Sequence, residues 1–327
     1  MTTTSQEKGL VFAYEIIGDG SGRPLNWDSI REGWEKKGLF WLHLNYENPE
    51  TKTWLETESH IDESLIPYLL SDDSRPGVFV HEDHLLMSMR GINFNANEEP
   101  EDLVSIRFYI SPDQLITLRR RKVHILEDIS RELLNGKGVR NASQFIYEVF
   151  SRVIGKIGDH TETLDIRVAK LEQMLITSPG TDIGDKLQEI QSELIDLRRY
   201  LSPQKLMFAQ LLEEELDWVD YKMHNKIRTQ AELHTRYVED IEYCWQRTQV
   251  IKDELNSRQS EQLNQKLYLL AVVSCVFLPL TLITGLLGVN LAGIPYAANP
   301  KSFAVLTGAM VVMALGILAF FKKKKWF

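Results

Sequence analysis

The sequence predicts an α+β head, a helical arm, one long stalk helix and two C-terminal transmembrane helices. Short apolar runs separated by turn residues fill the first third of the chain, and long helical periodicity with few breakers fills the middle. Between Lys266 and Lys301 no side chain is charged, and a second apolar stretch runs from 302 to 321. A bilayer core takes about 20 apolar helical residues to cross, so each stretch is of spanning length.

The elements follow in chain order. Within 1–140, strand-length apolar runs occupy 10–17, 39–44, 77–80, 85–92, 104–110 and 114–118, with helical pieces near 51–58 and 64–70. The arm, 141–220, is helical over 144–176 and 185–217. Ser178-Pro179-Gly180 breaks it, 217–220 bends, and Pro203 introduces a kink. The stalk, 221–266, has no Gly or Pro from Tyr221 to Leu278, so it runs unbroken into the first span. A helix over 221–287 is roughly 100 Å long at 1.5 Å per residue. The first span is 267–287, a Gly-, Pro- and Asn-rich outer connection is 288–302, the second span is 303–321, and 322–327 is a basic tail.

The net charge of −9 over 327 residues understates the acidity of the head, because Lys301 and Lys322 to Lys325 lie outside it. An acidic head argues against nucleic acid as a partner. It suits a vestibule that gathers cations, and equally an ordinary acidic surface. The lysines after the second span place the C-terminus in the cytoplasm by the positive-inside rule. Two spans then return the head to that side, and 1–9 has no apolar signal core. The expected location is the inner (plasma) membrane with both termini cytoplasmic. Cys244 and Cys275 are too few for a disulfide framework.

Heptad steps down the stalk and first span pick out one unusual face. Asp253, Asn264, Leu267, Ala271, Ser274, Leu278, Thr281, Gly285 and Gly288 form a seam that is mostly small or polar. The other faces carry large apolar side chains such as Leu269, Val272, Val276, Leu280, Ile283 and Leu286, as lipid contact requires. The seam either packs closely against another helix or faces water and lines a path for an ion. Two spans cannot enclose a lumen, so the second reading requires a ring-shaped oligomer. Pro279 cannot donate to the carbonyl of Cys275, and a local bend is expected there.

The first span ends Gly288-Val289-Asn290, preceded by Leu278-Pro279-Leu280-Thr281 and followed by Leu291-Ala292-Gly293-Ile294-Pro295. This resembles the CorA superfamily of divalent metal-ion transporters, which carry Gly-x-Asn at the outer end of the first of two terminal spans. Val289 in place of the methionine typical of the magnesium branch, and no acid in the loop up to Lys301, resemble its zinc-transporter (ZntB) branch. The resemblance implies an α/β/α sandwich as the cytoplasmic head and a homopentameric funnel. It makes the seam a cation pathway: Asn290 would ring the outer mouth and hold a hydrated ion, next to Val289. Thr281, Ser274 and Asn264 would form neutral polar rings, Leu278 and Leu267 constrictions, and Asp253 an inner carboxylate ring or simply a stalk charge in water. It implies transport of Zn2+, with H+ as a possible companion, and no cofactor. Magnesium or cobalt channelling and zinc efflux remain open alternatives.

Zinc ligands do not declare themselves. His81-Glu82-Asp83-His84 falls where a hairpin turn is expected. His224, His234 and Cys244 recur every ten residues on the stalk, on similar helix faces, which permits binding across subunits. Cys275 lies off the seam and is expected to pack. Arg119-Arg120-Arg121-Lys122 admits an anionic-lipid or nucleotide contact, with a solvated strand end preferred. No Gly-rich phosphate loop points to an ATP-driven pump, so ion gradients would supply the energy. An anchored enzyme is the rival of another class, but no nucleophile–base motif supports it.

Overall fold

The structure, a computed structural model, describes residues 9–34, 38–71, 75–100, 102–177, 183–289 and 299–323. The chain divides into two compact units, Met1–Ile251 and Lys252–Phe327.

The first unit is built on a seven-stranded mixed sheet. β1 (Leu10–Ile16), β2 (Gly22–Pro24), β3 (Leu39–Asn45), β4 (Gly77–His81), β5 (His84–Gly91), β6 (Val104–Ile110) and β7 (Gln114–Arg119) lie in the order β2-β1-β3-β7-β6-β5-β4. β3 and β7 pair in parallel, from Phe40 opposite Gln114 to Asn45 opposite Arg119, and the other neighbours are antiparallel. Strand alternation sorts the side chains between two layers. Phe40, Leu42 and Leu44 of β3 meet Ile30, Trp54, Leu55, Ile66 and Leu69 from α1 (Trp27–Gly33), α2 (Pro49–Thr57) and α3 (Ile66–Leu70), with Trp34 at the end of α1, in one core cluster. Trp41, one residue out of phase, turns to the opposite face, where its ring meets Phe145 at 4.9 Å. That face is covered by α4 (His124–Leu134) and α5 (Ala142–Thr177). The head is an α/β/α sandwich.

Local chemistry explains two of the short helices. Asn26 caps α1 by accepting from the Ser29 amide at 2.9 Å, and Asn48 caps α2 by accepting from Glu50 N at 2.9 Å, with Pro49 in the first turn. Helices α1 and α4 and strand β2 are not among the elements the periodicity predicts. Each is short, and α1 and α4 begin within a few residues of a strand or turn.

α6 (Ile183–Glu213) pairs with α5, with Phe150 and Phe208 edge to face at 4.9 Å, and continues helical through Pro203. α7 (Tyr221–Leu287) is one helix of 67 residues, as its lack of breakers predicts. Its first half completes a three-helix layer. Arg247 pairs with Asp165 and, at 2.7 Å, with Glu172 of α5, while Glu242 and Glu239 pair with Arg198 and Lys205 of α6. A Cβ on Gly158 of α5 would come within 2.4 Å of the Tyr237 ring of α7, so only glycine permits that approach. The break at 178–180 lies outside the described residues.

In the second unit, the remainder of α7 and α8 (Ser302–Lys323) are both long and apolar enough to cross a membrane, each holding an 18-residue stretch of mean hydropathy 2.4.

Candidate ion pathway

Within the second unit, α7 buries one narrow stripe. Val272 is only 3% exposed, and Tyr268, Val276, Pro279, Leu280 and Ile283 on the same side are half-buried. α8 shows the matching stripe, Ser302, Leu306, Met310, Ala314, Ile317 and Phe321, spaced by three and four. These are the faces the two helices turn to one another. Val272, Val276 and Ile283, from the large apolar set suited to lipid, and Leu280, expected to face lipid or the second span, all fall on this buried stripe. The sequence spacing held that signal, but apolarity alone does not separate a lipid face from a protein face.

The seam lies elsewhere. At 100° per residue it is about 150° around the helix from the buried stripe. Leu267 is 54% and Leu278 70% exposed, and Asp253, Asn264, Ala271, Ser274, Thr281, Gly285, Gly288 and Val289 are exposed as well. The structure thus keeps these residues on one face and leaves that face uncovered by α8. Ser274, Leu278, Thr281, Gly285 and Val289 border a shallow groove of about 650 Å³. A Cβ at Gly285 would meet nothing within 4 Å. Ser274 Oγ donates to the Leu270 carbonyl at 2.9 Å, so its hydroxyl proton is satisfied within the helix. α7 remains helical through Pro279. Asn290, the residue expected at the outer mouth, lies outside the described residues, as do the loop residues 291–298.

The histidines and cysteines fall out differently from the sequence expectation. His234 is fully buried, its Nε2 3.3 Å from Gln204 Nε2 and its ring 5.0 Å from Phe208. Cys244 is 1% exposed, with Sγ 3.9 Å from Asp165, and burial raises its thiol to about 11. Both are consumed inside one protomer, so they do not line up with His224 for binding across subunits. Heptad arithmetic placed them on one face but could not say that α5 and α6 cover it. His81 and His84 flank the two-residue β4–β5 turn, where Glu82 takes a positive φ of 52°. Cys275 is exposed, contrary to the expectation that it packs. Among the described residues no group of three His, Cys, Asp or Glu side chains could hold a metal ion. The charge-free stretch of α7 that borders the groove also carries Phe277, Leu282 and Leu286 beside the small and polar seam residues.

The family of CorA-like Mg2+ transporter proteins matches residues 36–323. The chain belongs to the CorA family. It is 30% identical over 321 residues to the zinc transport protein ZntB of Yersinia enterocolitica, covering 98% of this chain and 97% of the relative. The full-length CmaX protein superposes with a TM-score of 0.83 at 27% identity, over 98% of this chain and 100% of that one. The complete CorA magnesium transporter of Methanocaldococcus jannaschii gives 0.78 at 18% identity, over 97% and 98%, a likeness of fold alone. As a member of the CorA family the chain is a membrane transporter, and the anchored-enzyme reading falls away.

Proposed function

We propose that this CorA-family chain carries Zn2+ across the inner membrane as a homopentamer, with the α7 seam of each subunit around a central pore. The observation that carries the reading is the placement of the seam. It is the one small and polar face of the first span, and α8 covers the opposite side of the helix. A face of Ser, Thr, Gly and Ala left to lipid gains nothing, whereas five copies around an axis enclose a neutral polar lumen.

In this arrangement Asn290 from each subunit rings the outer mouth, and its amide oxygens accept hydrogen bonds from the water shell of an entering dication without stripping it. Thr281, Ser274 and Asn264 repeat that role inward. Gly285, Gly288 and Ala271 keep the path wide, and Leu278 and Leu267 narrow it to rings that dewet when closed. Asp253 concentrates cations at the inner end. Zinc is preferred because the ZntB relative is a zinc transport protein and the loop 291–300 holds no carboxylate. Uptake draws on an inward proton gradient, since a mouth without acids does little to concentrate cations. Both termini are cytoplasmic.

The test is flux into proteoliposomes with equal outside concentrations of zinc and magnesium. Zinc flux should exceed magnesium flux and rise with an inward proton gradient, and the detergent-corrected mass should be that of a pentamer. Faster magnesium flux would move the chain to the magnesium branch. Zinc flux indifferent to the gradient would make it a passive channel, and a monomeric or dimeric mass would remove the pore.

A further inference from the structure

The cavity with the densest charge in the head lies far along the chain from the seam and has no part in the proposed pathway. It holds about 460 Å³ and is lined by Arg90, Arg120, Arg121 and Arg199 together with Asp102 and Asp196, and Arg90 also donates to the Leu103 carbonyl at 3.2 Å. Its position is set by the sheet. Tyr46 follows the carboxyl end of β3, Arg120 and Arg121 follow the carboxyl end of β7, and Arg90 stands at the carboxyl end of β5. Open α/β sheets bind ligands in the crevice beyond the carboxyl ends of their strands. One wall is α6, which contributes Arg199 and Tyr200.

We propose that this cavity binds a phosphate-bearing soluble anion of pyrophosphate or nucleotide size. The guanidinium of Arg90 lies 4.6 Å from the centre of the Tyr200 ring and that of Arg199 5.3 Å, so one aromatic ring holds two cations on the same wall. Among the described residues no carboxylate pairs with Arg199. Arg120 pairs with Glu47 at 2.7 Å, and Arg121 pairs with Glu98 at 3.3 Å and Asp102 at 3.4 Å, but these arginines are exposed. Exposed pairs of that kind contribute little, and guanidinium forks bind phosphate oxygens bidentately with stronger, charge-assisted hydrogen bonds. Ser105 and Tyr46 complete the lining, with the Tyr46 hydroxyl already accepting from Arg107 at 3.1 Å. Asp196 opposes an anion, and its neighbourhood suits a ribose or other neutral hydroxyl better than a phosphate. The run of basic residues at 119–122 is thus more than a solvated strand end: its middle two members converge with Arg90 and Arg199 from distant parts of the chain.

The experiment is calorimetric titration of the full-length protein in detergent with inorganic pyrophosphate and, separately, with ADP. Saturable binding of one anion per chain is expected for at least one probe. Arg199→Glu should weaken it by about tenfold or more, as loss of a charge-assisted pair demands. Arg120→Gln provides a second, milder variant, and both positions are exposed, so the fold should be retained. Arg131→Ala, which removes an exposed arginine of α4 paired with Asp128, should bind like the unaltered protein. No saturable binding of either probe at millimolar concentration overturns the proposal. So does unchanged binding in Arg199→Glu, or an equal loss in Arg131→Ala. Binding confined to vesicles containing phosphatidylglycerol would reassign the arginines to a lipid headgroup and overturn the soluble ligand. None of these readouts depends on zinc transport.

Discussion

Gln204 of α6 donates through Nε2 to Nε2 of His234 on α7 at 3.3 Å, both side chains being fully buried. The Gln204 Oε1 is already engaged, accepting from the Arg90 amide of β5 at 2.6 Å, so only its NH2 end can reach the ring. His234 therefore accepts at Nε2 and carries its proton on Nδ1. One glutamine joins a sheet strand to the stalk helix, and it does so by holding a neutral histidine.

That relationship sets a pH dependence. Burial, with Lys205 nearby, depresses His234 from 6.5 to about 4. The unfolded chain takes up the proton as the pH falls below about 6.5, while the folded chain resists until about 4. Stability is thus complete above 6.5 and declines as the pH falls toward 4, by an amount on the order of 3 kcal/mol. His43, fully buried beside Thr117 and depressed to about 3, adds a loss of the same sign. Thermal midpoints of the detergent-purified protein should fall on acidification, and less steeply in His234→Gln. Identical pH profiles for the two proteins would show that His234 does not titrate on unfolding.

Leu278→Asp and Leu280→Asp should part company. Leu278 is 70% exposed on the seam, where in the proposed pore a carboxylate would meet the lumen and hold cations, so this variant should assemble with altered flux. Leu280 is half-buried on the stripe turned to α8, and a mid-membrane carboxylate there costs about 2.5–3.5 kcal/mol on insertion scales. It should express poorly. Equal loss of assembly in both would mean that the seam packs against protein.

Under the proposed function, Asn290→Ala should reduce zinc flux by at least about tenfold while the oligomer still forms, since it would remove the proposed ring of amides that orients the ion's hydration water. Flux at the unaltered rate would confine Asn290 to ending the helix.

Gly158→Ala should destabilise the head by about 1–3 kcal/mol, because the new methyl group would overlap the Tyr237 ring. Adding Tyr237→Leu should restore most of that loss by withdrawing the ring. A Gly158→Ala protein that melts like the unaltered one would mean that α5 and α7 separate without cost.

The two spans, the unbroken stalk helix and the seam were legible in the residues alone. Each is a property of length and periodicity within one segment: a stretch from 221 to 278 with no Gly or Pro, a charge-free run, a repeat of small side chains. Most strands of the head could be read for the same reason. What the sequence could not reveal depends on contacts between segments far apart in the chain. The parallel pairing of β3 with β7 joins residues more than 70 positions apart. Val272 and Leu286 are equally apolar, and only the position of α8 makes one a buried contact and leaves the other exposed. His234 and Cys244 share a spacing that suggests an open face, yet α5 and α6 cover it. Arg90, Arg120 and Arg199 converge only because strand ends and a helix close on one another. Local pattern determines which segments form and which side of each is apolar. Burial, pairing and the convergence of charge are decided by which segments meet.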